Sequence, residues 1–247
     1  MKLVVFDVDG TLTDTNGVDD DCFLQAFEDA LGITEISTDW ENYPHTTDSA
    51  IALHVFQTKF ARAPHAEEID RHKTRFLELL QMRRVAAPAR FTEIAGAGEM
   101  LQRLRRENDW AVAIATGSRH DAVRLKMSAA EIEHADLPVA SADNGLSREE
   151  ILRFAIDLAL EIYHQTGFEK IVSVGDGVWD VRAAESLGLA FLGIGDEETA
   201  AKLRRAGAGT VIENFTDYDL FLSSLTNAAV PQKQRPSGRP ENFGGKT

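Results

Sequence analysis

Apolar and polar positions alternate along this chain in two ways. Short β-branched or aliphatic runs stop abruptly at polar turns: Lys2–Phe6 at Asp-Val-Asp-Gly-Thr, Trp110–Ala115 at Thr-Gly-Ser, and Lys170–Val174 at Gly-Asp-Gly. Each reads as a buried strand. Further apolar runs lie at Leu189–Ile194 and Thr210–Ile212. Between them sit helical patterns over Gly98–Glu107, Arg119–Met127, Glu149–Tyr163, Trp179–Leu187 and Glu197–Ala206. Strands alternating with helices predict an α/β chain: a doubly wound, mostly parallel, Rossmann-like sheet covered on both faces.

Residues 15–88 break the alternation. Asp20–Leu31 places Cys22, Phe23, Ala26, Phe27, Ala30 and Leu31 on one helical stripe closed by Gly32. Thr47–Phe60 and Ala66–Arg84 carry similar stripes. Three or four helices between the first two strands predict an inserted helical cap over 15–88, with residues 1–14 and 89–230 forming the core. The last stretch, Pro231–Thr247, holds three of the seven prolines and one large apolar residue, Phe243. It buries too little to offset its ordering entropy and reads as a disordered tail.

A chain of 247 residues supports a core without staples, and its one cysteine, Cys22, excludes disulfide scaffolds and zinc ribbons. Lys and Arg number 26 against 40 Asp and Glu, a net charge of −14, which repels nucleic acid and anionic membranes. No apolar run is long enough for a membrane span, and the N-terminal run is too short and too acidic for an export signal. The expectation is a cytoplasmic protein, as monomer or homodimer.

In an open parallel sheet, ligands sit beyond the carboxyl ends of the strands. Here those ends deliver Asp7 and Asp9, then Thr116, then Asp176 with Asp180 four residues on. Any one of these Asp residues could merely cap a turn or helix. Together they would repel one another unless a cation intervened, and oxygen-only donors favour Mg²⁺ over zinc.

These residues carry a family resemblance. VVFDVDGTLTD (Val4–Asp14) resembles the first motif of the haloacid dehalogenase-like superfamily, IATGS (Ile114–Ser118) its second, and GDGVWD (Gly175–Asp180) its fourth. Their order, and an insert between motifs one and two, resemble the helically capped phosphoglycolate phosphatase-like branch. The resemblance implies a phosphatase acting on a small phosphorylated metabolite. Asp7 would be the nucleophile that forms an aspartyl-phosphate. Asp9 would protonate the leaving oxygen and later activate water. The carboxylates of Asp7 and Asp176, with the Asp9 carbonyl and Asp180, would hold Mg²⁺. Thr116 and the Gly117 amide would bind phosphate oxygens. Members that cleave carbon–halogen bonds lack an acid at position 9, and ion-pumping ATPases carry Thr there. A β-phosphoglucomutase-like phosphomutase is the nearest rival, and a non-catalytic phosphoacceptor a more distant one.

The third motif, usually a Lys, has no obvious counterpart. Ser147 and Glu150 form a capping box, so a helix starts there and Arg148 falls in its first turn, where the macrodipole disfavours a cation. A wrong-sign charge at that position is tolerated if it points at an acidic site. Arg148 is therefore the expected third-motif cation, with Lys126 or Arg119 as alternatives. Within the insert, WENYPHTTD (Trp40–Asp48) is the expected specificity loop, with His45, Thr46 and Thr47 as leaving-group contacts. The bland alternative is that Thr47 or Asp48 only caps the next helix. The run Asp19-Asp20-Asp21 resembles a metal cluster, but consecutive helical residues face different directions.

Overall fold

In a computed structural model the described residues are 1–232. Six parallel strands form one sheet: β1 (Lys2–Phe6), β4 (Trp110–Ala115), β5 (Val139–Ala140), β6 (Ile171–Gly175), β7 (Ala190–Ile194) and β8 (Val211–Ile212). Their order is β5-β4-β1-β6-β7-β8, which places β1 centrally between β4 and β6. Side-chain alternation along a strand explains why these runs are apolar throughout. Val4 and Phe6 join Val112, Ile114, Val172 and Val174 on one face. Leu3 and Val5 join Ala111, Ala113 and Ala115 on the other.

Helices cover both faces. Helices α4 (Ala97–Leu104), α5 (His120–Ala129) and α9 (Tyr218–Asn227) supply Met100, Leu101, Val123, Met127, Phe221 and Leu225 to the first face. The second face receives α6 (Arg148–Ile162), α7 (Val178–Leu187) and α8 (Glu197–Ala206) through residues such as Ile151, Ala155, Val181, Ala184 and Leu203. The doubly wound α/β architecture expected from the apolar pattern is the one observed.

Helices α1 (Asn16–Leu31), α2 (Asp48–Phe60) and α3 (Ala66–Ala86) lie between β1 and β4 in the chain. Two short strands, β2 (Thr13–Asp14) and β3 (Thr92–Glu93), pair antiparallel where the chain leaves and rejoins the sheet. Val18, Phe23, Phe27, Ile51, Phe56, Phe76 and Leu80 form a core of their own, which also takes in Ala122 of α5. The helical segment thus seats on α5. Of the tail expected over 231–247, Gln232 donates its amide to the Gly207 carbonyl at 3.0 Å; residues 233–247 lie outside the described residues.

Candidate active site

Strand β1 ends at Asp7, and the turn that follows needs Gly10. This residue sits at φ +74°, where a Cβ would overlap the Asp176 carboxylate. That close approach sets the two acidic turns of β1 and β6 side by side. Oxygens of Asp7, Asp176 and Asp180 lie within 4.8 Å of one another. Thr11 Oγ1 and Asn16 Nδ2 donate to Asp176 at 3.3 and 3.0 Å, and the Gly177 amide donates to Asp180 at 3.1 Å. Burial, then Asp7, pushes the Asp176 carboxyl up to about 7, and burial also holds Asp180 well above the usual carboxylate range. Three crowded, partly desolvated carboxylates with no nitrogen or sulfur donor among them suit a hard divalent cation.

Arg148 enters this group from the first turn of α6, whose capping box through Ser147 and Glu150 is present. Its Nη1 lies 2.9 Å from Asp7 Oδ1 and 3.3 Å from Asp180 Oδ1, and its Nε donates to the Thr46 carbonyl at 3.1 Å. The cation at a helix N-terminus is thus offset by the carboxylates it faces. Thr116, at the end of β4, is 1% exposed, and its Oγ1 accepts from the Ser118 amide at 3.2 Å. Next to it, a Cβ at Gly117 would approach the Thr46 carbonyl to 2.6 Å and Arg148 Nη2 to 2.7 Å, so only glycine fits without displacement.

Asp9 stands apart from the three-carboxylate group. Its Oδ1 accepts from Thr15 Oγ1 at 2.6 Å and its Oδ2 pairs with Lys126 Nζ at 2.5 Å. Lys126 is completely buried and also reaches Asp19 Oδ1 at 2.7 Å and Ser118 Oγ at 2.9 Å. Burial alone would lower this ammonium; Asp19 and Asp9 outweigh it and hold it above its ordinary value.

Segment 46–49 joins the helical insert to the loops around the site. Asp48 donates its amide to the Gly117 carbonyl at 2.8 Å and accepts from the Arg119 amide at 3.0 Å. Ser49 Oγ donates to the Ala142 carbonyl at 2.7 Å. Thr47 Oγ1 caps α2 through the Ala50 amide and donates to the Leu146 carbonyl at 2.8 Å. A cavity of about 220 Å³ lies beneath, lined by Asp9, Asp20, Trp40, Thr46, Arg148 and Trp179 among others.

The structure therefore brings Asp7, Asp176, Asp180 and Arg148 together, with Asp9 and Gly117 on the cavity wall. Thr47 does not face the cavity, its hydroxyl being used in capping, whereas the exposed His45 lines a smaller adjoining cleft together with Thr46, Arg148 and Trp179. Asp19, Asp20 and Asp21 point three ways, to Lys126, to the Trp40 indole and to Arg90.

Known proteins share this fold. The family model of the haloacid dehalogenase-like hydrolases matches residues 1–188. The chain belongs to that family. No curated protein matches it. Among solved structures, a hydrolase from Pseudomonas syringae is 20% identical with a TM-score of 0.68, covering 91% of this chain and 99% of that one. CbbY from Rhodobacter sphaeroides, solved in complex with phosphate, is 21% identical with a TM-score of 0.61, covering 88% and 96%. A structure from Haemophilus somnus described as a predicted phosphoglycolate phosphatase is 16% identical with a TM-score of 0.60, covering 90% and 98%. At these identities the likeness speaks for the fold. As a haloacid dehalogenase-like hydrolase, the chain carries its first-motif and fourth-motif acids at the carboxyl ends of adjacent strands β1 and β6.

Proposed function

We propose that this chain is a magnesium-dependent phosphatase that hydrolyses a small phosphate monoester through an aspartyl-phosphate on Asp7. The observation that carries the reading is the Arg148 guanidinium set between Asp7 and Asp180, beside Asp176 and on the wall of a cavity. Asp7, Asp176 and Asp180 would hold the Mg²⁺, with the Asp9 carbonyl. When bound, the cation would supply positive charge that offsets phosphate oxygens beside the crowded carboxylates. Residues 15–88 act in this reading as a cap on a core of 1–14 and 89–230, and segment 46–49 closes the cavity against water.

Asp7 attacks phosphorus in line, and the P–O bond to the leaving group breaks. The departing oxygen takes a proton from Asp9. Asp9 then takes a proton from water, whose oxygen attacks the same phosphorus and releases inorganic phosphate and free Asp7. Arg148, Thr116 and the Gly117 amide hold the equatorial oxygens as charge redistributes. For Asp9 to act, its carboxyl must turn away from Thr15 and Lys126, which engage both of its oxygens here.

The test is release of inorganic phosphate from p-nitrophenyl phosphate with Mg²⁺, with EDTA, and with Asp7→Asn. Activity lost in both controls is the expected result. Equal activity in Asp7→Asn overturns the nucleophile.

A further inference from the structure

Charge on the cavity wall is lopsided. It holds the carboxylates of Asp9, Asp19, Asp20 and Asp48 against one cation, Arg148. Arg148 is committed to Asp7 and Asp180. Lys126, behind the wall, is shared by Asp9 and Asp19, and Asp48 receives the Arg119 amide. Asp20 is left. Among the described residues no cation stands at ion-pair distance from it, and its carboxylate is held by the Trp40 indole N–H at 3.1 and 3.2 Å. Trp40 and Phe23, with ring centroids 6.4 Å apart, add aromatic surface to the same wall.

A second observation is independent of the acids. Thr46, only 9% exposed, lines the cavity, and its hydroxyl finds no hydrogen-bond partner in the protein. The Trp179 indole nitrogen on the same wall is buried and equally unpartnered. Both residues line the cavity, and a buried polar group that finds no partner in the protein is one that a ligand's own donor or acceptor can complete.

An anionic leaving group would meet carboxylates with no free cation to receive it. A protonated amine would instead satisfy Asp20 and lie against aromatic rings that favour cations. We infer that the substrate, on the phosphatase reading proposed above, is the phosphate monoester of a small amino alcohol: its phosphate at Arg148, its ammonium at Asp20 beside Trp40 and Phe23, and its polar atoms within the reach of Thr46.

The experiment compares kcat/KM in Mg²⁺ for O-phosphoethanolamine, its uncharged isostere propyl phosphate and the anionic 2-phosphoglycolate, with p-nitrophenyl phosphate reporting the phosphatase reading separately. The amine ester is expected to exceed propyl phosphate by about tenfold or more, with 2-phosphoglycolate lowest. Asp20→Asn is expected to bring the amine-to-propyl ratio close to one, and Asp20→Glu to restore part of it. Tryptophan fluorescence of Asp7→Asn, titrated with the same three esters, reads the same preference as binding without turnover. The inference is overturned if propyl phosphate or 2-phosphoglycolate is handled as well as the amine, or if Asp20→Asn keeps the ratio. Absence of hydrolysis on every ester would remove the phosphatase reading, and the fluorescence titration would still decide the amine preference.

Discussion

Replacing Lys126 with Met tests the electrostatic centre of the molecule. Met keeps most of the stem's volume, so packing on α5 is retained while the charge is lost. Lys126 is 0% exposed, and the Asp9 and Asp19 side chains it joins are each 14% exposed. Removing one member of a buried ion pair typically costs about 3–5 kcal/mol, because the remaining charge is stranded. Partial exposure of both carboxylates lets water reach them, which argues for the lower end, about 3 kcal/mol. For a chain of this size that is a fall in Tm of about 6–12 °C. Urea unfolding followed by far-UV circular dichroism measures it. The design includes Lys126→Met/Asp19→Asn, which removes one stranded charge and is expected to be more stable than Lys126→Met alone. That sign of coupling is specific to a shared ion pair. A Lys126→Met variant within about 1 kcal/mol of wild type, or a double variant whose losses simply add, would refute the reasoning.

Arg148→Ala is expected to lower kcat/KM on p-nitrophenyl phosphate by about 10²–10³-fold, with Arg148→Lys recovering only part because a point charge cannot serve Asp7 and phosphate in one plane. Gly10→Ala introduces a Cβ into the Asp176 carboxylate at a left-handed backbone position, so the Mg²⁺ needed for half-maximal rate is expected to rise by about tenfold or more. His72 is buried among Phe23, Phe27 and Phe76, with Nε2 on the Phe23 carbonyl and Nδ1 unpartnered. Burial lowers it from 6.5 to about 4. In that window the unfolded chain binds a proton the folded one does not, so stability falls on acidification at up to about 1.4 kcal/mol per pH unit. The raised carboxyls of Asp176 and Asp180 contribute with the opposite sign across the same window, so the slope is read from the difference in urea-derived stability between wild type and His72→Gln, in which those contributions cancel; a difference that does not change with pH would place the titration elsewhere.

The parts legible in the sequence were those whose physics is local. Strands β1, β4, β6 and β7 are apolar on both faces, and a run such as Trp110–Ala115 ends where its polar turn begins. Arg148 was readable because a capping box located the helix start and left a cation of the wrong sign there. Strand β5 is two residues long and is defined only by its pairing with β4, which no periodicity records. Helix α9 is not among the helices the apolar pattern predicts, although Tyr218, Phe221 and Leu225 share one stripe behind an Asp217 cap. The role of Lys126 in the site had a signal too. It stands with Ala122, Val123 and Met127 on the buried stripe of α5, where a lysine demands a carboxylate. Which carboxylates answered could not be read, because Asp9 and Asp19 come from segments more than 100 residues away.

The central position of β1 has a consequence for how the protein is made. It leaves the ribosome well before its partners, which lie at 110–114 and 171–174. At about 5–20 residues per second, Leu-Val-Val-Phe waits on the order of ten to thirty seconds before both neighbours exist. During that interval it is an unpaired, β-prone edge, the kind of segment that seeds aggregation. Asp7 and Asp9 follow it directly. Before there is any site to serve, their charges already separate one nascent chain from the next, so a neutralising substitution at either position is expected to lower the soluble yield as well as the activity.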